Sequence, residues 1–201
     1  MRVAVADYGA GNLRSLCSAL ERAGAEPFVT TESHEVREAP LALVAGVGHV
    51  ASAAEGLART GVAEALRERA ERGRPLVGIC VGMQLLFEDS DEGGSGLGLL
   101  RGPVRRLAAR RVPHMGWNTL AARRPGSTVL AGLDGADVYF AHSYAAQPAD
   151  DTVTTAEVEH DGRIVAAVEC APLVGFQFHP ERSGPAGARA LSGVLRWSRS
   201  A

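Results

Sequence analysis

The chain has 201 residues, of which 46% are hydrophobic, and a formal net charge of -2 at pH 7. Its near-neutral charge and scattered arginines argue against nucleic acid as a partner, and no apolar run approaches the roughly 20 residues that span a membrane. No secretory signal precedes the first strand-like run, so we expect a cytoplasmic protein with one domain over residues 1–201.

The first half of the chain alternates apolar strand-like runs with amphipathic helical patterns. Strands are predicted at residues 3–6, 27–30, 41–45 and 76–79. One helix begins after Asn12, which can cap it, and ends near Gly24; another covers residues 62–72. Strand, helix and strand in this order predict parallel pairing through right-handed crossovers.

Short strand-like runs dominate the second half, at residues 104–107, 138–141, 152–158, 164–168 and 173–178. Turn residues such as Asp161-Gly162 separate them and predict hairpins. A last amphipathic helix is expected over residues 186–197. The predicted fold is therefore α/β, a three-layer sandwich around a mixed, largely parallel central sheet, with reactive residues at the carboxyl ends of strands.

The most informative pattern is an apolar strand that runs into Cys80 and is followed at once by an apolar helical run. Gly78 and Gly82 flank the cysteine and let strand and helix approach closely, as in a nucleophile elbow. A helix N-terminus stabilises a thiolate, the species that attacks an amide carbonyl. The alternative is a buried structural cysteine, which is what we expect of Cys17 and Cys170.

A thiol nucleophile needs a base, and the base needs a group that orients it. His179 and Glu181 follow the last strand-like run with Pro180 between them. Residues two apart in extended backbone point to the same side, so both can face one crevice. We therefore predict a triad of Cys80, His179 and Glu181, against the alternative of a surface histidine.

The tripeptide Gly46-Val47-Gly48 follows a buried strand and leaves backbone amides free to bind an oxyanion. The amide of Val81, next to the predicted nucleophile, is a further candidate donor. On its own, the tripeptide is better explained as an ordinary glycine turn.

Two other kinds of site are rejected. Residues 7–12 resemble the start of a dinucleotide fingerprint, but Arg14 stands where its third glycine is needed. The six histidines lack the spacing of metal ligands. We expect neither a metal nor an organic cofactor, since thiol chemistry on an amide requires none.

With these features together, the chain resembles the glutaminase subunit of imidazole glycerol phosphate synthase, a class I glutamine amidotransferase. The elbow and the His179-Pro180-Glu181 ending are shared features of triad glutaminases and alone would indicate only that superfamily. Three further segments, read in this order, narrow the resemblance to that subunit: DYGAGNL at residues 7–13, PHMGWN at 113–118 and YFAHSY at 139–144.

This resemblance implies a flavodoxin-like fold and a γ-glutamyl thioester on Cys80, with His179 as base and then acid, and glutamate and ammonia as products. It also implies a (β/α)8-barrel cyclase partner, which uses the ammonia to form imidazole glycerol phosphate and an aminoimidazole carboxamide ribotide. The glutamine contacts implied are Gln84, Glu92, and backbone groups at Ser143 and Tyr144.

The resemblance also implies a heterodimer interface, formed by Asn12, Pro113, His114, Met115, Gly116, Trp117, Asn118 and Arg182. One position departs from the family, which usually has proline where this chain has Ala45 before Gly-Val-Gly. Alanine frees the φ angle and restores a backbone donor. We expect this change to affect how the oxyanion loop switches conformation, and not the identity of the catalytic residues.

Two alternatives remain open. A glutaminase of another ammonia-channelling synthase, such as pyridoxal phosphate synthase, shares the elbow and the His-Pro-Glu ending, although the segment 113–118 argues against it. A non-catalytic α/β interaction module would keep the fold without turnover, but none of the predicted triad residues is missing.

Overall fold

The structure is a computed structural model that describes residues 1–9, 11–124 and 126–200. Ala10, which belongs to the family segment at residues 7–13, and Ala201, the last residue of the predicted domain, lie outside the described residues.

Twelve strands, six α-helices and two short 3-10 helices, Asp151–Val153 and Pro180–Arg182, are present in the described residues. The strands are β1 Arg2–Ala6, β2 Glu26–Thr30, β3 Leu41–Gly46, β4 Leu76–Cys80, β5 Val104–Arg106, β6 His114–Thr119, β7 Ala121–Ala122, β8 Asp137–His142, β9 Tyr144–Ala146, β10 Thr154–Glu159, β11 Arg163–Cys170 and β12 Leu173–Phe176. The helices are α1 Leu13–Arg22, α2 Ser33–Glu38, α3 Val50–Thr60, α4 Val62–Glu71, α5 Val81–Gln84 and α6 Gly184–Trp197.

Eight strands form the central sheet, in the order β2-β1-β3-β4-β12-β11-β10-β7. The neighbours from β2 to β12 pair in parallel, and those from β12 to β7 pair antiparallel. Helix α1 packs with α6, and α2 and α3 pack with α4, which gives the two outer layers. The predicted three-layer sandwich with a mixed, largely parallel sheet is confirmed.

The central strands β3 and β4 are buried along their whole length. Strands covered on both faces read as continuous apolar runs, which is why the sequence predicted them well. The cap predicted for α1 is also present, since the Asn12 side chain accepts the Ser15 N–H at 3.3 Å. Gly24 ends that region with a φ of 88°, where glycine is favoured.

Some elements differ from the sequence prediction. Helices α2 and α3 and strand β6 were not predicted, and the helix after Cys80 extends only to Gln84. Helix α3 begins after His49, whose side chain does not cap it, so the polar capping residue that marks a helix start in a sequence is missing. In β6, polar and glycine positions hide the alternation typical of a strand.

A fully buried arginine, Arg69 of α4, ties the helical layer to the sheet. Its guanidinium donates to the carbonyl oxygens of Val36, Arg37, Pro40 and Pro75 at 2.8–3.1 Å. Burial lowers the pKa of Arg69 to about 10, so it stays charged at neutral pH. Among the described residues, none of the helices is long and apolar enough to cross a bilayer.

Candidate active site

The turn at Cys80 joins β4 directly to α5. Cys80 has a φ of 54° and a ψ of -110°, a conformation that side-chain-bearing residues rarely adopt. A Cβ atom at Gly78 would collide with the backbone of Gly82, and one at Gly82 would collide with the backbone of Val44. The two glycines therefore allow the close approach that the sequence predicted.

His179 and Glu181 follow β12, the parallel neighbour of β4, so all three predicted triad residues lie where adjacent strands end. The Nδ1 atom of His179 is 2.8 Å from Glu181 Oε1, and the two side chains are 5% and 9% exposed. The backbone N–H of His179 donates to Tyr139 O at 2.9 Å, and this bond holds the backbone of His179 against β8.

The charge state of His179 follows from its neighbours. Burial alone would lower the pKa of His179. Cys80 and Glu181 outweigh this effect through their hydrogen bonds to the ring and their negative charges, and they raise the pKa to about 10. The buried Nε2 atom nevertheless lacks a well-directed hydrogen bond among the described residues. Catalytic hydrogen bonds are often long or poorly aligned before substrate binds. The sulfur of Cys80 therefore acts on the ring through its charge rather than through a well-directed hydrogen bond.

The Gly46-Val47-Gly48 tripeptide lies beside the nucleophile. Gly46 is the register partner of Cys80 in the parallel pair of β3 and β4, so the loop begins next to the sulfur. Gly48 has a φ of 94°, and the Val47 side chain is half exposed. The loop that follows β3 and the start of α5 at Val81 therefore both adjoin Cys80, as an oxyanion site requires.

A cavity of about 220 Å³ opens at Cys80. This volume suits one small molecule. All four predicted glutamine contacts line it together with the nucleophile; the lining is Gly48, His49, Cys80, Val81, Gln84, Glu92, Pro113, Met115, Ala141, His142, Ser143 and Tyr144. A larger groove of about 370 Å³ lies against residues 105–109 and 160–165 and contains no predicted site residue.

Glu92 reaches the cavity from the segment after α5. Its Oε2 atom accepts the Val50 N–H at 2.7 Å, and its Oε1 atom is 2.8 Å from His49 Nδ1. Only 9% of the Glu92 side chain is exposed. The carboxylate thus caps the start of α3, immediately after the predicted oxyanion loop.

Gln84 and Gln177 connect the sulfur to the cavity wall. Gln84 Nε2 donates to Tyr144 O at 2.8 Å and to Gln177 Oε1 at 3.1 Å, and Gln177 Nε2 lies 3.7 Å from Cys80 Sγ. Gln177 is fully buried and was not predicted as a site residue. Its spacing of two residues from His179 could have identified it, because such residues share a side in extended backbone.

A second network, also missed, contains two buried histidines. His142 Nδ1 lies 2.8 Å from Tyr144 O, His114 Nδ1 lies 3.0 Å from His142 Nε2, and Asn118 Nδ2 lies 3.1 Å from His114 Nε2. All three contacts are satisfied if both rings are neutral and protonated at Nδ1. Burial lowers the pKa of His114 to about 4 and that of His142 to about 3.

The predicted interface residues divide by exposure. Met115 and Trp117 are 65% and 59% exposed on β6, while His114 on the same strand faces inward. Exposed Arg182 stacks over the Tyr139 ring, 4.2 Å from its centroid. Asn12, Pro113, Gly116 and Asn118 are also at least partly exposed.

The chain is similar to known proteins over nearly its whole length. The family model "Glutamine amidotransferase class-I" matches residues 4–194. Among relatives named "Imidazole glycerol phosphate synthase subunit HisH", that of Moorella thermoacetica is 44% identical, covering 94% of this chain and 91% of its own length. That of Rhodospirillum rubrum is 45% identical, covering 98% and 100%. A solved structure described as "glutamine amidotransferase" shares the fold, with a TM-score of 0.80, 21% identity and 98% coverage of both chains.

Proposed function

The chain belongs to the class I glutamine amidotransferases and, within them, to the HisH-type glutaminase subunits of imidazole glycerol phosphate synthase; from this we propose that it hydrolyses glutamine through a triad of Cys80, His179 and Glu181. The observation that carries the proposal is the strained Cys80 beside an imidazole that Glu181 holds at 2.8 Å. These three residues supply a nucleophile, a proton carrier and its orienting group.

The reaction begins when the Cys80 thiolate attacks the γ-carboxamide carbon of glutamine. Backbone N–H groups of the Gly46-Val47-Gly48 loop and of Val81 hold the resulting oxyanion. His179 then donates a proton to the nitrogen, the C–N bond breaks and ammonia leaves a γ-glutamyl thioester. A water molecule, deprotonated by His179, attacks the thioester and releases glutamate and the thiolate.

Substrate recognition is assigned to the cavity lining. Glu92 pairs with the α-ammonium group of glutamine, and backbone groups at Ser143 and Tyr144 hold its α-carboxylate. Gln84, which lines the same cavity, contacts the substrate side chain. The position of all four around Cys80 supports this assignment.

The product ammonia passes to a (β/α)8-barrel cyclase subunit, which forms imidazole glycerol phosphate and the aminoimidazole carboxamide ribotide in histidine biosynthesis. The exposed Met115, Trp117 and Arg182 form the docking surface for this partner in a heterodimer. We place this single-domain subunit in the cytoplasm, where thiols remain reduced.

The test is glutamate release from glutamine by the subunit mixed with its cyclase partner and the ribotide substrate. Cys80→Ala should abolish release. Cys170→Ala should not, because Cys170, which was expected to be buried, is exposed and does not line the cavity at Cys80. Release by Cys80→Ala at the parent rate would refute the mechanism. Release that responds only to a pyridoxal phosphate synthase partner would assign the chain to that pathway, and no release with either partner would favour a non-catalytic module.

A further inference from the structure

The mechanism above leaves one buried polar group near the nucleophile unused, the hydroxyl of Tyr8. Tyr8 lies two residues beyond β1, the sheet neighbour of β3, and only 4% of it is exposed. Its hydroxyl oxygen is buried and has no hydrogen-bond partner among the described residues. Buried Tyr hydroxyls usually find a partner, so one without any calls for an explanation.

Two glycines make room for this side chain. A Cβ atom at Gly46 would overlap the Tyr8 hydroxyl, so this oxygen occupies the place of a side chain at position 46. A Cβ atom at Gly56 of α3 would collide with the backbone of Tyr8 and crowd its side chain. The phenol is thus held from two sides, with its polar end against the first residue of the predicted oxyanion loop.

The hydroxyl is also close to the reacting sulfur. Gly46 is in register with Cys80, and the Cβ of Val81 is 3.5 Å from the same side-chain position at Gly46. Burial raises the pKa of Tyr8 well above its usual value, and the charges of Cys80 and Asp7 raise it further. Tyr8 therefore keeps its proton at neutral pH and is available as a hydrogen-bond donor.

Peptide geometry indicates what this donor meets. The N–H and C=O of a trans peptide unit point in opposite directions. When a peptide of the Gly46-Val47-Gly48 loop aims its N–H at the oxyanion in the cavity, its carbonyl oxygen turns away from the cavity. Tyr8 is not among the residues that line the cavity, and its O–H lies against that loop.

We propose that Tyr8 is a positioning residue of the glutaminase, whose O–H donates to a backbone carbonyl oxygen of the Gly46-Val47-Gly48 loop and so holds the loop amides toward the tetrahedral intermediate. This inference rests on the proposed function and adds a residue to it. The bond forms when the oxyanion develops, so it stabilises the transition state more than bound glutamine.

Tyr8→Phe tests the idea, because it removes one oxygen and keeps the ring between Gly46 and Gly56. In the subunit with its cyclase partner, we expect kcat for glutamine hydrolysis to fall about 10- to 100-fold, with KM within about twofold of the parent. The melting temperature should not fall, because phenylalanine leaves no buried hydroxyl without a partner.

Alkylation of Cys80 by iodoacetamide distinguishes an effect on the oxyanion loop from an effect on the reactivity of the thiolate. This reaction displaces iodide at a saturated carbon and develops no oxyanion. Tyr8→Phe should therefore be alkylated at Cys80 at the parent rate, as measured by mass spectrometry of the peptide that contains Cys80. A parent-like kcat, or alkylation slowed as much as kcat, would overturn the proposal. A lower melting temperature with unchanged kcat would mean that Tyr8 only packs.

The parent and Cys80→Ala, assayed alongside, separate the two levels of inference. Hydrolysis by the parent, none by Cys80→Ala and parent-like kcat in Tyr8→Phe would reject the role of Tyr8 alone. Equal hydrolysis by the parent and Cys80→Ala would reject the proposed function and the role of Tyr8 with it.

Discussion

The contact between His179 and Glu181 gives the sharpest quantitative prediction, for the variant Glu181→Gln. The carboxylate oxygen lies 2.8 Å from Nδ1, and both side chains are almost completely buried. A hydrogen bond to a charged group in such a place contributes about 1.5 to 3 kcal/mol. Only the part of this bond that is gained in the transition state affects the rate; if the whole of it is gained there, its loss slows glutamine hydrolysis about 10- to 150-fold, at about 1.4 kcal/mol for each factor of ten.

The second carboxylate oxygen, Oε2 of Glu181, is buried without a hydrogen-bond partner among the described residues. In Glu181→Gln, the new NH₂ group either takes this place or turns toward His179. The first orientation leaves buried donors unpaired. The second donates to Nδ1 and therefore fixes the ring in the tautomer with Nε2 protonated, which cannot accept the thiol proton.

The pH profile gives an independent reading. The charge and hydrogen bond of Glu181 contribute to the raised pKa of His179, so removing them lowers that pKa. The imidazolium then loses its proton at lower pH, and the alkaline limb of the kcat profile should move in that direction.

The assay is glutamate release with the cyclase partner from pH 6 to pH 10, with Glu21→Gln as a control. Glu21 is an exposed glutamate of α1 outside the proposed site, so Glu21→Gln should leave both rate and profile unchanged. A Glu181→Gln variant with the parent rate and the parent alkaline limb would refute the role of this carboxylate.

Three further predictions concern stability, measured by chemical unfolding. Cys80→Gly should be about 1 kcal/mol more stable than Cys80→Ala, since glycine tolerates a φ of 54°; equal stabilities would contradict strain at this turn. His114 and His142 have lowered pKa values of about 4 and 3, so the unfolded chain binds more protons below pH 6.5. The free energy of unfolding should therefore fall between about pH 6.5 and pH 4, less steeply in His142→Gln. Arg69→Met should cost about 3 kcal/mol or more, because it leaves buried carbonyl oxygens unpaired; a loss under about 1 kcal/mol would contradict this.

The sequence predicted the sheet better than the helices around it. Strands β3 and β4 are buried on both faces and contain almost no polar residue, so their pattern is visible without any knowledge of their neighbours. Helix α3 depends on its tertiary contacts. Gly56, for example, must be small because Tyr8 packs against it. Local periodicity contains no record of that contact.

The same distinction applies to the site. Cys80 was identifiable because backbone sterics require the glycines two residues to either side of it. The His179–Glu181 pair was predicted from extended backbone, whereas Pro180–Arg182 form a short 3-10 helix that still brings Glu181 to 2.8 Å from the ring. Gln177 and Tyr8 were not identifiable, because their significance lies in contacts with residues far away in the chain. The buried face of His114 was hidden for the same reason, since its partner His142 is 28 positions away.

Strand order explains why these distant residues meet. The strands β1, β3, β4 and β12 are consecutive in the sheet and parallel, so their carboxyl ends lie along one edge. Tyr8, Gly46, Cys80 and His179 each lie at or just after one of those ends. Because Gly46 pairs with Cys80 directly, a slip of one residue between β3 and β4 would put a side chain where the Tyr8 hydroxyl lies. It would also exchange the residues that β3 presents to its two buried faces. The register that packs the core is thus the same register that assembles the site, and it leaves little freedom to vary one without the other.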